Sequence, residues 1–268
     1  MPFPGPVGRV LLVLTTSGSG GHSRALQCVG SLAGARTALL RHAEVRLHAT
    51  APLDATFAAH FERAYPNRKR AVVVTAPQRR GRNEQVIDTF LHALRPAALA
   101  RYDWVLVSNV DVVIANATRL VAMLADPDTW AVLANCNPDR RCTTGCIHGL
   151  VHSDFFAFRP REVRFHNETV LEQHAETYVT QIFYRAIALK RDAWIQARGF
   201  SDRSCRIRAG VRAGSPEVVH YHRDGSCAAA LLKNTGWCDA SGRARGRASV
   251  RPCEARKALE ISKREAQI

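Results

Sequence analysis

Three strand candidates in the first third of the chain, residues 9–14, 44–48 and 71–75, are short, β-branched or leucine-rich, and separated by stretches long enough for a helix. Strands spaced in this way do not close as tight hairpins. They line up in parallel, and each crossover lays a helix on the sheet. A parallel sheet is covered on both faces, so its strands read as continuous apolar runs instead of alternating ones. The pattern predicts an α/β fold, Rossmann-like, with a mostly parallel central sheet and helices on both faces. With 268 residues, 46% of them hydrophobic, the chain has material for a single domain of this kind with a sizeable core. Residues 8–238 are assigned to it and residues 1–7 to an N-terminal extension. Residues 239–268, in which Gly, Ser and Arg recur, read as a basic, loosely attached C-terminal tail.

Later segments continue the alternation. Val86, Ile87, Phe90, Leu91 and Leu94 repeat at helical spacing over residues 83–99, with Pro96 disturbing the end. A short helix is expected over 118–124 and a strand over 130–135. Residues 151–160, VHSDFFAFRP, form an aromatic strand that carries Asp154, and 170–190 are helical in pattern and contain Glu176.

The net charge of +15 favours phosphate-bearing partners. Its small clusters, such as Arg79-Arg80-Gly81-Arg82, have no aromatic residues interleaved, so a nucleic-acid surface is not expected. No apolar run approaches the roughly 20 residues of a membrane span, so no transmembrane segment is expected. No basic segment precedes the short run at 10–14, as a signal peptide would require, and the expected location is the cytoplasm. None of the eight cysteines lies in a C-x-x-C pair.

Two stretches carry chemistry. The first, VLLVLTTSGSGGH, runs from a strand into a glycine turn at Thr15, Thr16, Ser17 and Gly18, with a helix expected from Ser23. Glycines allow the backbone to approach a ligand, and the amide groups of a following helix point back at the turn. The spacing is neither G-x-G-x-x-G nor a P-loop. The second, YDWVLVSNVDVVI over residues 102–114, reads as one buried central strand that carries Asn109 and Asp111. A carboxylate among valines is expensive to bury without a partner, and ligands gather at the carboxyl ends of such strands. Near the end, PEVVHYH is a short strand closing on His220 and His222. Carboxylate, amide and imidazole donors together suit Mn2+ or Mg2+, with a substrate diphosphate completing the coordination. The plainer alternatives are an Asp111–arginine pair and two surface histidines.

In order, YDWVLVSNVDVVIAN, HSDFFAFRP, HAETYVTQIFYRAI and VVHYH resemble the signatures of GT-A type nucleotide-sugar glycosyltransferases of the algal and algal-virus type, over residues 8–225. The resemblance implies metal-assisted transfer of a sugar from a nucleotide-diphosphate sugar to a hydroxyl acceptor such as a glycan. Its D-x-D element reads Asn109-Val110-Asp111 here, with an amide for the first acid, which leaves Asp111 as the metal position. The family's late histidine corresponds to His220 or His222, with His220 preferred. His152 to Asp154 would face the donor sugar or the acceptor. Glu176 would be the general base, with Asp154 as the alternative. Thr15 to Gly21, with Thr15, Thr16, Ser17 and Gly18 as the contact residues, would face the base and ribose. SGSGGHSRAL is also similar to the glycine-histidine turn of GT-B enzymes, though the chain is short for their two domains. A nucleic-acid-binding module and a catalytically silent nucleotide-sugar binder, the latter suggested by Asn109, are the other classes considered.

Overall fold

The computed structural model describes residues 7–31, 39, 42–66, 70–74, 82–114, 118–134, 151–165, 175–189, 191–195, 197–198 and 218–220. The chain begins β1 (Val10–Thr16), α1 (Gly20–Ser31), β2 (Glu44–Ala49), α2 (Ala55–Ala64), β3 (Arg70–Val74), α3 (Arg82–Ala93), α4 (Pro96–Leu99) and β4 (Trp104–Asn109). It continues β5 (Val112–Ile114), α5 (Thr118–Ala125), β6 (Ala131–Ala134), β7 (Phe155–Phe158), α6 (Ala175–Ala188), β8 (Asp192–Ile195), β9 (Ala197–Arg198) and β10 (Val218–His220).

The large sheet has seven strands in the order β3-β2-β1-β4-β7-β6-β8, and β5-β10-β9 form a second, three-stranded sheet. In the large sheet β3, β2, β1 and β4 are parallel, as the apolar runs predict, while β7 runs antiparallel to both of its neighbours. The strand order grows outward from β1 to β3 and then returns to place β4 on the other side of β1. This reversal makes the β1–β4 junction the topological switch point, the place outside the carboxyl ends of the strands where open α/β sheets bind ligands.

Alternate residues of the central strands feed two apolar layers. Leu12, Leu14, Trp104 and Leu106 pack with Leu26 of α1 and with Phe57 and Phe61 of α2. Leu11, Val13, Val105 and Val107 pack on the other face with Ile87 and Phe90 of α3 and Phe183 of α6. Phe156 of β7 centres this second layer, its ring 5.6 Å from Phe90, 5.8 Å from Phe165 and 5.4 Å from Phe183. Helix α2 is held to its layer from its first turn, where the Phe57 N–H donates to Asp54 Oδ1 at 2.7 Å. Asp54→Ala removes this cap and should lower stability by about 1 kcal/mol, read as a reduced urea midpoint at unchanged slope.

Several boundaries differ from those expected. β1 extends through Thr15 and Thr16, which pair in register with His48 and Ala49 of β2, so these threonines end a strand and do not form the turn. The helix expected from Ser23 already begins at Gly20. The 83–99 segment divides at Leu94–Arg95, and Pro96 opens a new helix at its first turn, where a missing N–H costs nothing. The 102–114 run is not one strand. β4 stops at Asn109, Val110 and Asp111 turn, and β5 pairs with β10 in the other sheet. The cause lies next door: the Val110 N–H still donates to Thr15 O at 3.2 Å, but β1 ends one residue later and offers nothing further to pair with. Of the domain limits, residues 1–6 and 239–268 lie outside the described residues, as does the Cys136–Cys146 cluster. No helix among the described residues is long and apolar enough to cross a membrane.

Candidate functional site

The carboxyl end of β1 leads into a tightly bonded turn. The Gly18 N–H donates to Thr16 Oγ1 at 3.0 Å, and that hydroxyl lies 2.9 Å from His22 Nδ1. Gly18 has φ +70°, a left-handed conformation that strains any residue with a Cβ. Ser19 caps α1, its Oγ accepting the His22 N–H at 3.3 Å. The cap fixes His22 so that Nδ1 also accepts the Ser17 N–H at 3.3 Å. Because a backbone N–H only donates, Nδ1 is the acceptor and the neutral ring carries its proton on Nε2. That nitrogen lies 3.7 Å from Asp111 Oδ2. His22 was not among the residues singled out from sequence. Its signal there is its place at the end of SGSGGH, the glycine-histidine turn.

Asp111 sits in the turn between the two sheets and is 3% exposed. Its Oδ2 faces the ring of His22. On its C-terminal side, Val112 of β5 stands opposite His220 of β10. The antiparallel register therefore brings the backbone of His220 level with the residue after Asp111, across about a hundred residues of chain. The side chain of His220 and the whole of His222 lie outside the described residues. Among the described residues, no three His, Cys, Asp or Glu side chains gather in one place.

Asn109 faces the opposite way from Asp111. Thr15 and Asn109 are in register on β1 and β4, and Thr15 Oγ1 donates to Asn109 Oδ1 at 2.8 Å. Asn109 Nδ2 donates to Asp154 Oδ1 at 3.1 Å, and its main-chain N–H to Asp154 O at 2.9 Å. Asp154 Oδ2 is 4.0 Å from His152 Nδ1. Ser153 Oγ donates to Glu176 Oε1 at 3.1 Å, in the first turn of α6. The segment is secured from both sides: His152 N–H donates to Ala134 O, and Val151 N–H to Thr180 Oγ1.

The structure thus joins Thr15, Asn109, Asp154 and His152 in one chain of contacts, and Thr16, Ser17 and Gly18 with His22 and Asp111 in another. Both meet at the end of β4, where Asn109 and Asp111 are two residues apart. Glu176 joins through Ser153, the middle residue of the His152 to Asp154 segment.

The fold is α/β and Rossmann-like, a mostly parallel doubly wound sheet with one reversed strand and a small second sheet, and it is matched among solved structures by GT-A proteins. The chain is similar in structure to the galactosyltransferase LgtC solved with donor and acceptor sugar analogs, at 12% identity over 94% of this chain and 95% of that one, TM-score 0.51. An active-site mutant of LgtC matches over the same shares at 12% identity and TM-score 0.50. The mannosyltransferase PcManGT from Pyrobaculum calidifontis, solved with GDP-Man and Mn2+, matches at 18% identity over 68% of this chain and 54% of that one, TM-score 0.41. At such identities the likeness is one of fold. No family model and no curated protein matches the chain.

Proposed function

We propose that the protein is a glycosyltransferase that moves a sugar from a nucleotide-diphosphate sugar to a hydroxyl acceptor, assisted by a divalent cation at Asp111. The observation that carries this reading is the buried Asp111 carboxylate at the switch point of a GT-A fold, facing the glycine turn after β1. The end of β1 at Thr15 and Thr16, with the turn at Ser17 and Gly18 that follows it, takes the nucleotide, with the α1 amides close behind for phosphate oxygens.

The donor set fits Mn2+ or Mg2+ in chemistry: a buried carboxylate, with a histidine on the strand in register beside it. Asp111 and His220 would hold the ion, with His222 as the alternative to His220. Asn109 is not assigned to it, because its amide oxygen accepts from Thr15. When bound, such a cation neutralises charge that develops on the leaving diphosphate. The chain's own carboxylates do the rest. Glu176, or Asp154 as the alternative, takes the proton of the acceptor hydroxyl as its oxygen attacks the anomeric carbon and the bond to the diphosphate breaks. His152 and Asp154 hold the hydroxyls of the sugar or of the acceptor.

The test is a thermal-shift panel of nucleotide sugars and nucleoside diphosphates with and without Mn2+. A ligand at 100 times its Kd stabilises the folded state by about 2.7 kcal/mol. One nucleotide series should shift the transition only with the cation present, which also names the donor. A shift indifferent to Mn2+ removes the cation from the mechanism, and no shift with any nucleotide refutes the reading.

A further inference from the structure

Asn109 occupies a position where the sequence resemblance calls for an acid, and its contacts are specific for an amide. Asp154 has a carboxylate with no proton to give, so the side of Asn109 facing it must be Nδ2, which donates to Asp154 Oδ1 at 3.1 Å. That orientation leaves Oδ1 toward Thr15, whose hydroxyl donates to it at 2.8 Å. The main-chain N–H of Asn109 holds the Asp154 carbonyl at 2.9 Å. The residue therefore grips Asp154 through backbone and side chain at once, while the Asp154 side chain stays 22% exposed. A carboxylate at position 109 would put a second negative oxygen where Nδ2 now donates, against Asp154 Oδ1, and like charges that close repel strongly.

We propose that Asn109 is a positioning residue that aims the Asp154 carboxylate at the sugar or acceptor, and is not a metal ligand that has lost its charge. The proposal rests on the transferase reading above. It has an unexpected consequence: Asn109→Asp, which recreates the two-acid element, lowers transfer.

Four proteins test it: wild type, Asn109→Asp, Asp154→Asn, and the double variant Asn109→Asp/Asp154→Asn. The double variant restores the hydrogen bond with its polarity reversed, since the amide introduced at 154 donates to the carboxylate introduced at 109, which still accepts from Thr15. Urea stability, Mn2+ affinity measured with Mn2+ alone, and kcat with the donor found by the panel are read for each. Asn109→Asp should lose stability and about 10²-fold in kcat, the size of effect expected from a misplaced reacting group. The double variant should recover stability and leave kcat low, because its carboxylate stands on the wrong strand, and Mn2+ affinity should stay within twofold throughout. Tighter Mn2+ binding with equal or higher kcat in Asn109→Asp overturns the proposal in favour of a ligand position. Recovery of kcat together with stability in the double variant overturns it in favour of a purely structural contact. A wild type that binds and transfers no nucleotide sugar overturns the parent reading and this proposal with it, and that result shows before any variant is made.

Discussion

Asp111→Asn should abolish the Mn2+-dependent stabilisation by nucleotide and lower transfer by about 10²- to 10³-fold, the loss seen when a preorganised charge-stabilising group is removed. Folding should survive. Asp111 belongs to neither apolar layer, the amide has the same shape, and its oxygen can still face the proton on His22 Nε2, 3.7 Å away in the wild type. The loss should therefore be confined to ligand-dependent measurements, with the urea midpoint of the unliganded variant close to that of wild type. A variant that keeps its Mn2+-dependent shift would dismiss Asp111 as the cation's residue. One that unfolds outright would mean that the buried acid is chiefly structural.

Acid should weaken the protein through His48. This residue lies on β2 level with Thr15, is 4% exposed, and packs edge-on against His92 of α3 with ring centroids 5.8 Å apart. Among the described residues neither of its ring nitrogens has a hydrogen-bond partner. Burial, followed by the nearby His92 and Arg46, pushes its pKa from 6.5 down to about 4. Between those values the unfolded chain binds a proton that the folded chain refuses, so stability rises with pH across the window and is lost as pH falls through it. The displacement corresponds to about 3 kcal/mol between neutral pH and pH 4. Other groups also titrate there, so the measurement is a difference: urea stability of wild type minus that of His48→Leu, which has no proton to take up. That difference should fall by most of this amount from pH 7 to pH 4.5. A difference that does not vary with pH would show that His48 is charged or solvated in the folded state.

The parts of this molecule legible in the sequence are those decided locally. β1 is buried along its whole length and announces itself as an apolar run, β2 buries Val45 and Leu47 in alternation with half-buried Glu44 and Arg46, and β3 is an edge strand with Val72 and Val74 exposed; the regular crossovers between them imply parallel pairing. Strand exits were harder to read. Thr15 and Thr16 look like turn residues beside SGSGG, but their β-branched side chains suit the strand, and β2 is long enough to pair with them. The break after Asn109 is invisible because Val110 to Ile114 is as apolar as the strand before it; β4 stops where its two neighbours run out, at the end of β1 and the start of β7. The reversal of β7 left no mark either, since an aromatic run of four residues reads the same in both directions. At the site, Asp111 stood out as an acid among valines, whereas the meaning of Asn109 depended on partners 94 and 45 residues away. No local spacing encodes such pairings.

The reversed direction of β7 has a consequence for the sense in which the chain meets the site. β1 and β4 reach the crevice where they end, and the chain must then continue into a helix or a second sheet that supports the fold. β7 reaches the same crevice where it begins, so His152 and Asp154 arrive on an incoming loop whose job is finished once Phe155 enters the sheet. Two kinds of connection therefore meet at the ends of β1, β4 and β7, one leaving the sheet and one entering it. Under the proposed transferase reading, the incoming segment at His152 to Asp154 would meet the sugar or acceptor and the outgoing turn after β1 the nucleotide, so the two halves of the substrate would be handled by connections of opposite sense.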